Sequence, residues 1–171
     1  MSVDSSDERA ERFLALYDEA LPEVYGYLLH RSGDVSLAED LTSEVFLAAA
    51  RSVRRGGPAH LTVAWLIAVA RNKLVDHWRR RSREERGLQL MATETLGMEA
   101  PPFEEIEEGR AQATLYRLPA HYAAALTLRY VDGLPVPAVA AEMGRTLHAT
   151  ESLLARARRE FRRLYTEADD D

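Results

Sequence analysis

The residues with most chemistry to offer are arginines, and they fall in two groups. Residues 71–83 carry Arg71, Lys73, Arg79, Arg80, Arg81 and Arg83 against Asp76 alone. Residues 145–163 carry Arg145, Arg156, Arg158, Arg159, Arg162 and Arg163 against Glu151 and Glu160. Taken from totals of 22 basic and 28 acidic residues, those twelve and three leave the rest of the chain with 10 basic and 25 acidic. Two compact positive patches in a negative background point to nucleic acid engaged at defined places, although the net charge of −6 argues the other way.

The patches differ in kind. In the first, Trp65 and Trp78 flank Arg71-Asn72-Lys73 ahead of the run Arg79-Arg80-Arg81. Aromatic rings stack on unpaired bases while arginines follow phosphates. Arg71, Asn72, Lys73, Trp78, Arg79, Arg80 and Arg81 are therefore candidates for holding single-stranded DNA. Core packing competes with stacking for both tryptophans; it is the expected role of Trp65, whereas Trp78 is divided between the two. Asp76-His77 has neither a nucleophile nor a second carboxylate beside it, so a helix salt bridge from Asp76 to Arg79 or Arg80 is expected instead of acid–base work.

In the second patch, Val139-Ala140-Ala141-Glu142-Met143-Gly144 reads as a short helix ending in glycine, with a longer helix from about His148. Ala140, Gly144 and Thr150 stand at helix-turn-helix spacing: a small residue at the crossing, a glycine in the turn, and a buried position on the second helix. Thr146 suits the N-cap of that helix. Leu147, Thr150, Leu154, Ala157, Phe161 and Leu164 form its inward stripe. Thr146, His148, Glu151, Ser152, Ala155, Arg156, Arg159 and Arg163 are left to face a DNA major groove. The alternative is an ordinary amphipathic pair with a solvated arginine face.

Other chemistries lack their residues. With no cysteine, thiolate nucleophiles, disulfides and Cys-rich zinc sites are excluded. His30, His60, His77, His121 and His148 are scattered without metal-ligand spacing, and Gly56-Gly57 precedes Pro58 without the lysine of a phosphate loop. No metal, no cofactor and no enzymatic activity are expected. The polar, acidic start lacks the pattern of a signal peptide, and no apolar run approaches a membrane span, so a soluble cytoplasmic protein without membrane insertion is expected.

The elements that must position these residues read as helices throughout, with no strand-like alternation. Phe13, Leu14, Leu16, Tyr17, Leu21, Val24, Tyr25 and Leu28 recur at three- and four-residue steps, with Pro22 a point of kinking or division. Gly33-Asp34 is a turn, and Ser36 with Glu39 would form a capping box. The next helix turns Leu37, Leu41, Val45, Phe46 and Ala49 inward and Glu39, Asp40 and Glu44 outward. It ends before Arg55-Gly56-Gly57-Pro58. A third helix over about Thr62–Arg83 has Trp65, Leu66, Val69, Leu74 and Trp78 as its stripe. Residues 84–108 are glutamate-rich around Pro101-Pro102 and read as a flexible acidic tether. Helical periodicity returns with Ala111, Leu115, Leu118, Ala124, Ala125, Leu128 and Val131, before Asp132-Gly133 breaks it. The fold class is all-α: small helical domains over residues 8–83 and 109–166, joined by that tether.

The arrangement resembles a bacterial RNA polymerase sigma factor of the small extracytoplasmic-function (ECF) type, which keeps regions two and four of its family. The stretches that carry the resemblance are Leu37–Phe46, Ala64–Arg80, Leu118-Pro119, Leu126–Leu134 and the helix-turn-helix ending Ala155-Arg156-Ala157-Arg158. It implies that Asp40, Leu41 and Glu44 dock on the β′ clamp helices of core RNA polymerase, with the β flap as a further contact. It implies that the third helix and the loop before it hold the −10 promoter element as a single strand around a flipped base. The helix-turn-helix would read the −35 element in promoter DNA, and an anti-sigma factor is the expected regulator. Thr62-Val63, Thr150 and Glu151 depart from the usual pattern. At Glu151 a carboxylate would accept from a cytosine amine where arginine would favour guanine. A free-standing helix-turn-helix transcriptional regulator is the alternative, but it has no use for the Trp78–Arg83 patch.

Overall fold

The structure, a computed structural model, describes residues 4–55, 61–89 and 107–167. These residues are organised as helices α1 (Asp4–Ser32), α2 (Val35–Arg54), α3 (Val63–Gln89), α4 (Glu107–Arg117), α5 (Ala120–Leu126), α6 (Val136–Met143) and α7 (Leu147–Glu167). They belong to two compact units, Met1–Leu74 and Val75–Asp171, so the distal half of α3 counts with the C-terminal helices. Residues 90–106 of the expected tether and the breaker Gly56-Gly57-Pro58 lie outside the described residues. Glu84 and Glu85 are helical, because α3 continues past the arginine run with an Arg81–Glu85 pair of 3.2 Å supporting its last turns.

In the first unit α1 passes through Pro22 without a break, so the expected division does not occur. A proline there loses one backbone hydrogen bond, and the buried row Ala20, Val24 and Leu28 spans the site on the inner face. The stripe is core only from Ala20 onward; Tyr17 and Leu14, about one and two turns earlier, are exposed. Gly33, in the left-handed region at φ 66°, ends α1, its N–H donating to Leu29 O at 2.9 Å. The cap of α2 is Asp34, whose carboxylate accepts from Leu37 N at 3.0 Å. Ser36 already lies inside the helix, so the capping box expected from Ser36 and Glu39 is not formed. Ala38, Leu41, Thr42, Val45, Phe46 and Ala49 are the buried face of α2, which packs along α1. Each fully buried Leu or Val contributes roughly 1.5–3 kcal/mol.

Thr62 caps α3, accepting from Trp65 N at 3.1 Å. The buried row of α3 steps by four: Leu66, Ala70, Leu74, Trp78 and Ser82.

In the second unit, Arg110 of α4 lies over the Tyr165 ring of α7, 4.1 Å from its centroid, and its guanidinium donates to Tyr165 O. After α5 the chain widens into a single loose turn over Thr127–Val131, where Asp132 N–H reaches Thr127 O, five residues back, at 2.9 Å. Gly133, at φ 69°, then releases the chain, and Pro135 opens α6.

Candidate nucleic-acid interface

The turn between α6 and α7 is built by local chemistry. Gly144 takes φ 61°, ψ 39°, where a side chain would be strained. Its N–H donates to Ala141 O at 3.1 Å, and Arg145 N–H to Ala140 O at 2.9 Å. That pair of bonds closes a helix end in the Schellman manner. Two residues later Thr146 Oγ1 accepts from Ala149 N at 3.2 Å, capping α7 as expected. Thr150, fully buried, donates its hydroxyl to Thr146 O at 2.9 Å. A threonine at this buried position is thus satisfied within its own turn.

The outer face of α7 carries Glu151, Ala155, Arg156 and Arg159 exposed, with Ser152 half-buried beside them and His148 exposed at its start. Arg156 leans back along the helix, Nε donating to Ser152 O at 3.3 Å. Arg163 is occupied: it pairs with Glu160 at 2.6 Å and Glu167 at 2.5 Å. The hydrogen bond from Arg163 holds the Glu160 carboxyl below its usual range, and the two carboxylates raise the Arg163 guanidinium. The inner face differs from the expected stripe at its start and in its interior. Leu147 is exposed, and Leu153, not anticipated, is core.

Along α3, Trp65, expected in the core, is only half-buried, and Trp78, divided between core packing and stacking, is core. Trp78 is 8% exposed and belongs to the four-residue row of the core; Trp65, one position off that row, is half-buried. Trp78 therefore has no free face on which a base could stack. Asn72 and Arg80 are exposed, and Arg71, Lys73, Arg79 and Arg81 are half-buried. Asp76 pairs with Arg79 at 3.2 Å, as expected, and the other end of that guanidinium donates to Glu142 O at the close of α6. Lys73 Nζ meets Glu44 Oε2 at 3.1 Å, so a residue expected on single-stranded DNA is tied to one expected on the polymerase.

On α2, Asp40 and Glu44 are exposed as expected, but Leu41 is 2% exposed and packs inward, so it is no free apolar anchor. The exposed apolar residue on their side of the helix is Leu47, seven residues after Asp40, at 55%.

An apolar groove of about 410 Å³ opens in the second unit, lined by Leu115, Leu126, Tyr130, Val131 and Phe161, with Arg158 and Arg162 at its edge. Periodicity assigned Val131 and Phe161 to the core. The loose turn before Asp132 carries Tyr130 and Val131 out to the surface, and Phe161 is only half-buried. Arg158 donates to the Tyr130 hydroxyl at 2.9 Å, which fixes the rim.

Among the described residues no three or more His, Asp or Glu side chains gather as metal ligands, and no helix is long and apolar enough to cross a membrane.

Comparison with known proteins places this geometry. Residues 16–84 match the family model "Sigma-70 region 2" and residues 109–161 match "Sigma-70, region 4". The chain is 36% identical over 166 residues to the ECF RNA polymerase sigma factor BldN of Streptomyces coelicolor, covering 91% of this chain but only 61% of that longer protein. It is 28% identical to the ECF RNA polymerase sigma factor SigM of Bacillus subtilis, over 91% of this chain and 96% of the relative. The sigma factor RpoE of Bartonella quintana, solved in complex with the anti-sigma factor NepR, has a similar fold: TM-score 0.54 at 21% identity, over 90% of this chain and 96% of that one. With both regions matched in order along one helical chain, the protein belongs to the sigma-70 family and is a sigma factor of the ECF type.

Proposed function

We propose that the protein is a non-catalytic specificity subunit that directs core RNA polymerase to particular promoters and initiates transcription there. The observation that carries this reading is the pairing, in one chain, of a region 2 match with a region 4 match, the latter containing a complete helix-turn-helix. A free-standing regulator needs only the second.

Roles follow from exposure and charge. Asp40 and Glu44 form an acidic face for the β′ clamp helices, with Leu47 as its apolar contact in place of Leu41. Asn72, Arg80 and the arginines around them hold the displaced strand of the −10 element through its phosphates, while Trp78 shapes that surface from inside. Lys73 joins them once Glu44 is engaged by the clamp. The exposed face of α7 reads the −35 element, with Arg156 as the base-reading residue. The apolar groove around Tyr130 and Phe161 takes the β flap. A protein with this task works in the cytoplasm, and an anti-sigma factor of the kind bound to the Bartonella protein holds it inactive.

Run-off transcription by core polymerase, with and without the chain, on a promoter library tests the proposal. Transcripts from a defined promoter class, only when the chain is present, are expected. Core polymerase that neither binds the chain nor changes its start sites would overturn it.

A further inference from the structure

The second compact unit contains a second cavity, of about 280 Å³, whose walls are unusually cationic. Arg79, Arg83 and Arg86 reach it from the distal half of α3, His121 from α5, and Arg145 from the helix-turn-helix turn. Trp78 and Met143 close its floor, both almost fully buried. Within this group Arg79 is engaged by Asp76 and Glu142, and Arg86 by the Ser82 carbonyl at 3.1 Å. Among the described residues Arg83 and Arg145 have no acidic partner there. Glu85 is engaged by Arg81 and by Ala120 N–H, at 3.2 and 3.3 Å. Neither Arg86 nor Arg145 is among the residues given to the promoter above, so that reading leaves part of this concentration of charge unused.

We infer that this cleft is a binding site for a small oligophosphate anion, either free pyrophosphate or the diphosphate end of a nucleotide. Multiple guanidinium groups converging on one cavity give short, charge-assisted hydrogen bonds to phosphate oxygens. The volume lies just below the ~300–1,000 Å³ usual for small-ligand pockets, which suits a compact polyanion better than a base with its sugar. The buried floor offers no open ring for stacking, which also favours the phosphate end.

His121 makes the site self-reporting. Its pKa lies below the ordinary value, first because of burial and then because Arg145, Arg86 and Arg156 repel a proton; Glu85 alone acts the other way. Arg79 and Arg83 line the same cavity. An oligophosphate seated among these groups reverses the sign of the local field, so the imidazole takes up a proton as the anion binds.

The test is titration of the full chain with inorganic pyrophosphate, following His121 by NMR and affinity by calorimetry, with sodium sulfate and sodium chloride at matched ionic strength. Pyrophosphate is expected to saturate and to move the His121 pKa upward, while the chloride control leaves it in place. R83Q and R145Q should each weaken binding about tenfold, the scale of losing one charge-assisted contact. H121Q should bind with only the pH dependence of the ligand's own ionisation. A nucleoside diphosphate arm separates the two sources: tighter binding than pyrophosphate assigns the site to a nucleotide, equal binding to the free anion. R83Q alters an exposed side chain, so it keeps the test decisive where R145Q disturbs the turn. An equal response to pyrophosphate, sulfate and chloride, or unchanged affinity in both arginine variants, overturns the proposal. So does a His121 shift produced by a short single-stranded oligonucleotide but not by pyrophosphate.

Discussion

Charge on α7 divides into side chains that are free to act and side chains that are already spoken for. Ser152, then the neighbours Ala155 and Arg156, then Arg159 and Arg163 follow at three- and four-residue steps on one side of the helix. Sequence spacing alone makes Arg159 and Arg163 equal members of the DNA-facing set. The ion pairs to Glu160 and Glu167 remove that equality, since Arg163 must give up two carboxylates before it can serve DNA. Arg156→Ala is expected to relax preference at one or two adjacent −35 positions, because a bidentate arginine–guanine contact discriminates by about 1–3 kcal/mol. Arg159→Ala should weaken all promoters alike and reduce the salt slope by about one, whereas Arg163→Ala should change it far less. A holoenzyme selection on a promoter library, repeated at two salt concentrations, reads all three; unchanged −35 preference in Arg156→Ala means that the reading face is wrongly assigned. His121 gives a prediction of a different kind. Its folded-state pKa is below the unfolded one, so the unfolded chain holds the proton more readily. Stability is therefore full above pH ~6.5 and is lost as pH falls through the unfolded value toward the folded one. Denaturant melts at pH 5 and pH 8 should show this difference in the parent and a smaller one in His121→Gln.

Elements obey their capping chemistry more closely than their stripes, and the helix-turn-helix is the case in point. Gly144→Ala places a Cβ at ordinary contact distance, 3.5 Å from Arg79 Nη2, so sterics cost little. The cost is the left-handed backbone, about 1–2 kcal/mol. Thr146→Ala removes the hydroxyl that caps α7 and should cost about 1 kcal/mol. Both should lower the melting point of the free chain, and Gly144→Asn, better suited to positive φ, should recover part of the loss; equal melting of Ala and Asn variants would mean that the turn is not held at this φ. Turn and cap were legible in the sequence because Gly144, Thr146 and Thr150 each have one conformation or bond that suits them. The tryptophans were not. A helix stripe several residues wide admits both Trp65 and Trp78, and only the narrower four-residue row through Ala70 and Ser82, two small residues easily overlooked, selects Trp78 as core. The α2 cap was misjudged for a similar reason. Ser36 and Asp34 are both good caps, and the choice falls to Asp34 because Gly33 has already turned the chain there. The apolar groove was illegible altogether, since periodicity assumes a regular helix and the loose turn over Thr127–Val131 shifts the side chains that follow.

At the scale of the whole molecule, the distribution of charge sets how the protein meets DNA. Ten basic and 25 acidic residues outside the two patches give that remainder a net charge of −15, which repels a phosphate backbone at long range. Screening over ~8 Å at physiological ionic strength leaves the patches attractive only at close approach. Several of their cations are moreover held in the free protein: Lys73 by Glu44, Arg79 by Asp76, and Arg163 by two glutamates. A partner that covers the acidic face of α2 changes both terms together, since engaging Glu44 screens negative charge and frees Lys73. The isolated chain is therefore expected to bind duplex promoter DNA weakly, and core polymerase to raise its affinity by about a hundredfold or more, some 2.7 kcal/mol. Asp40→Arg is the cleaner probe of that docking face, because Glu44→Arg would also break the pair with Lys73. It should remove holoenzyme assembly while helix content stays native and the DNA binding of the free chain stays weak, since one reversed side chain lifts the −15 of the remainder only to −13. Fluorescence anisotropy with labelled promoter, with and without core enzyme, measures the affinities and the assembly, and circular dichroism the helix content. Nanomolar, sequence-specific binding by the chain alone would instead mark a free-standing regulator, and Asp40→Arg with normal assembly would move the docking face elsewhere on region 2.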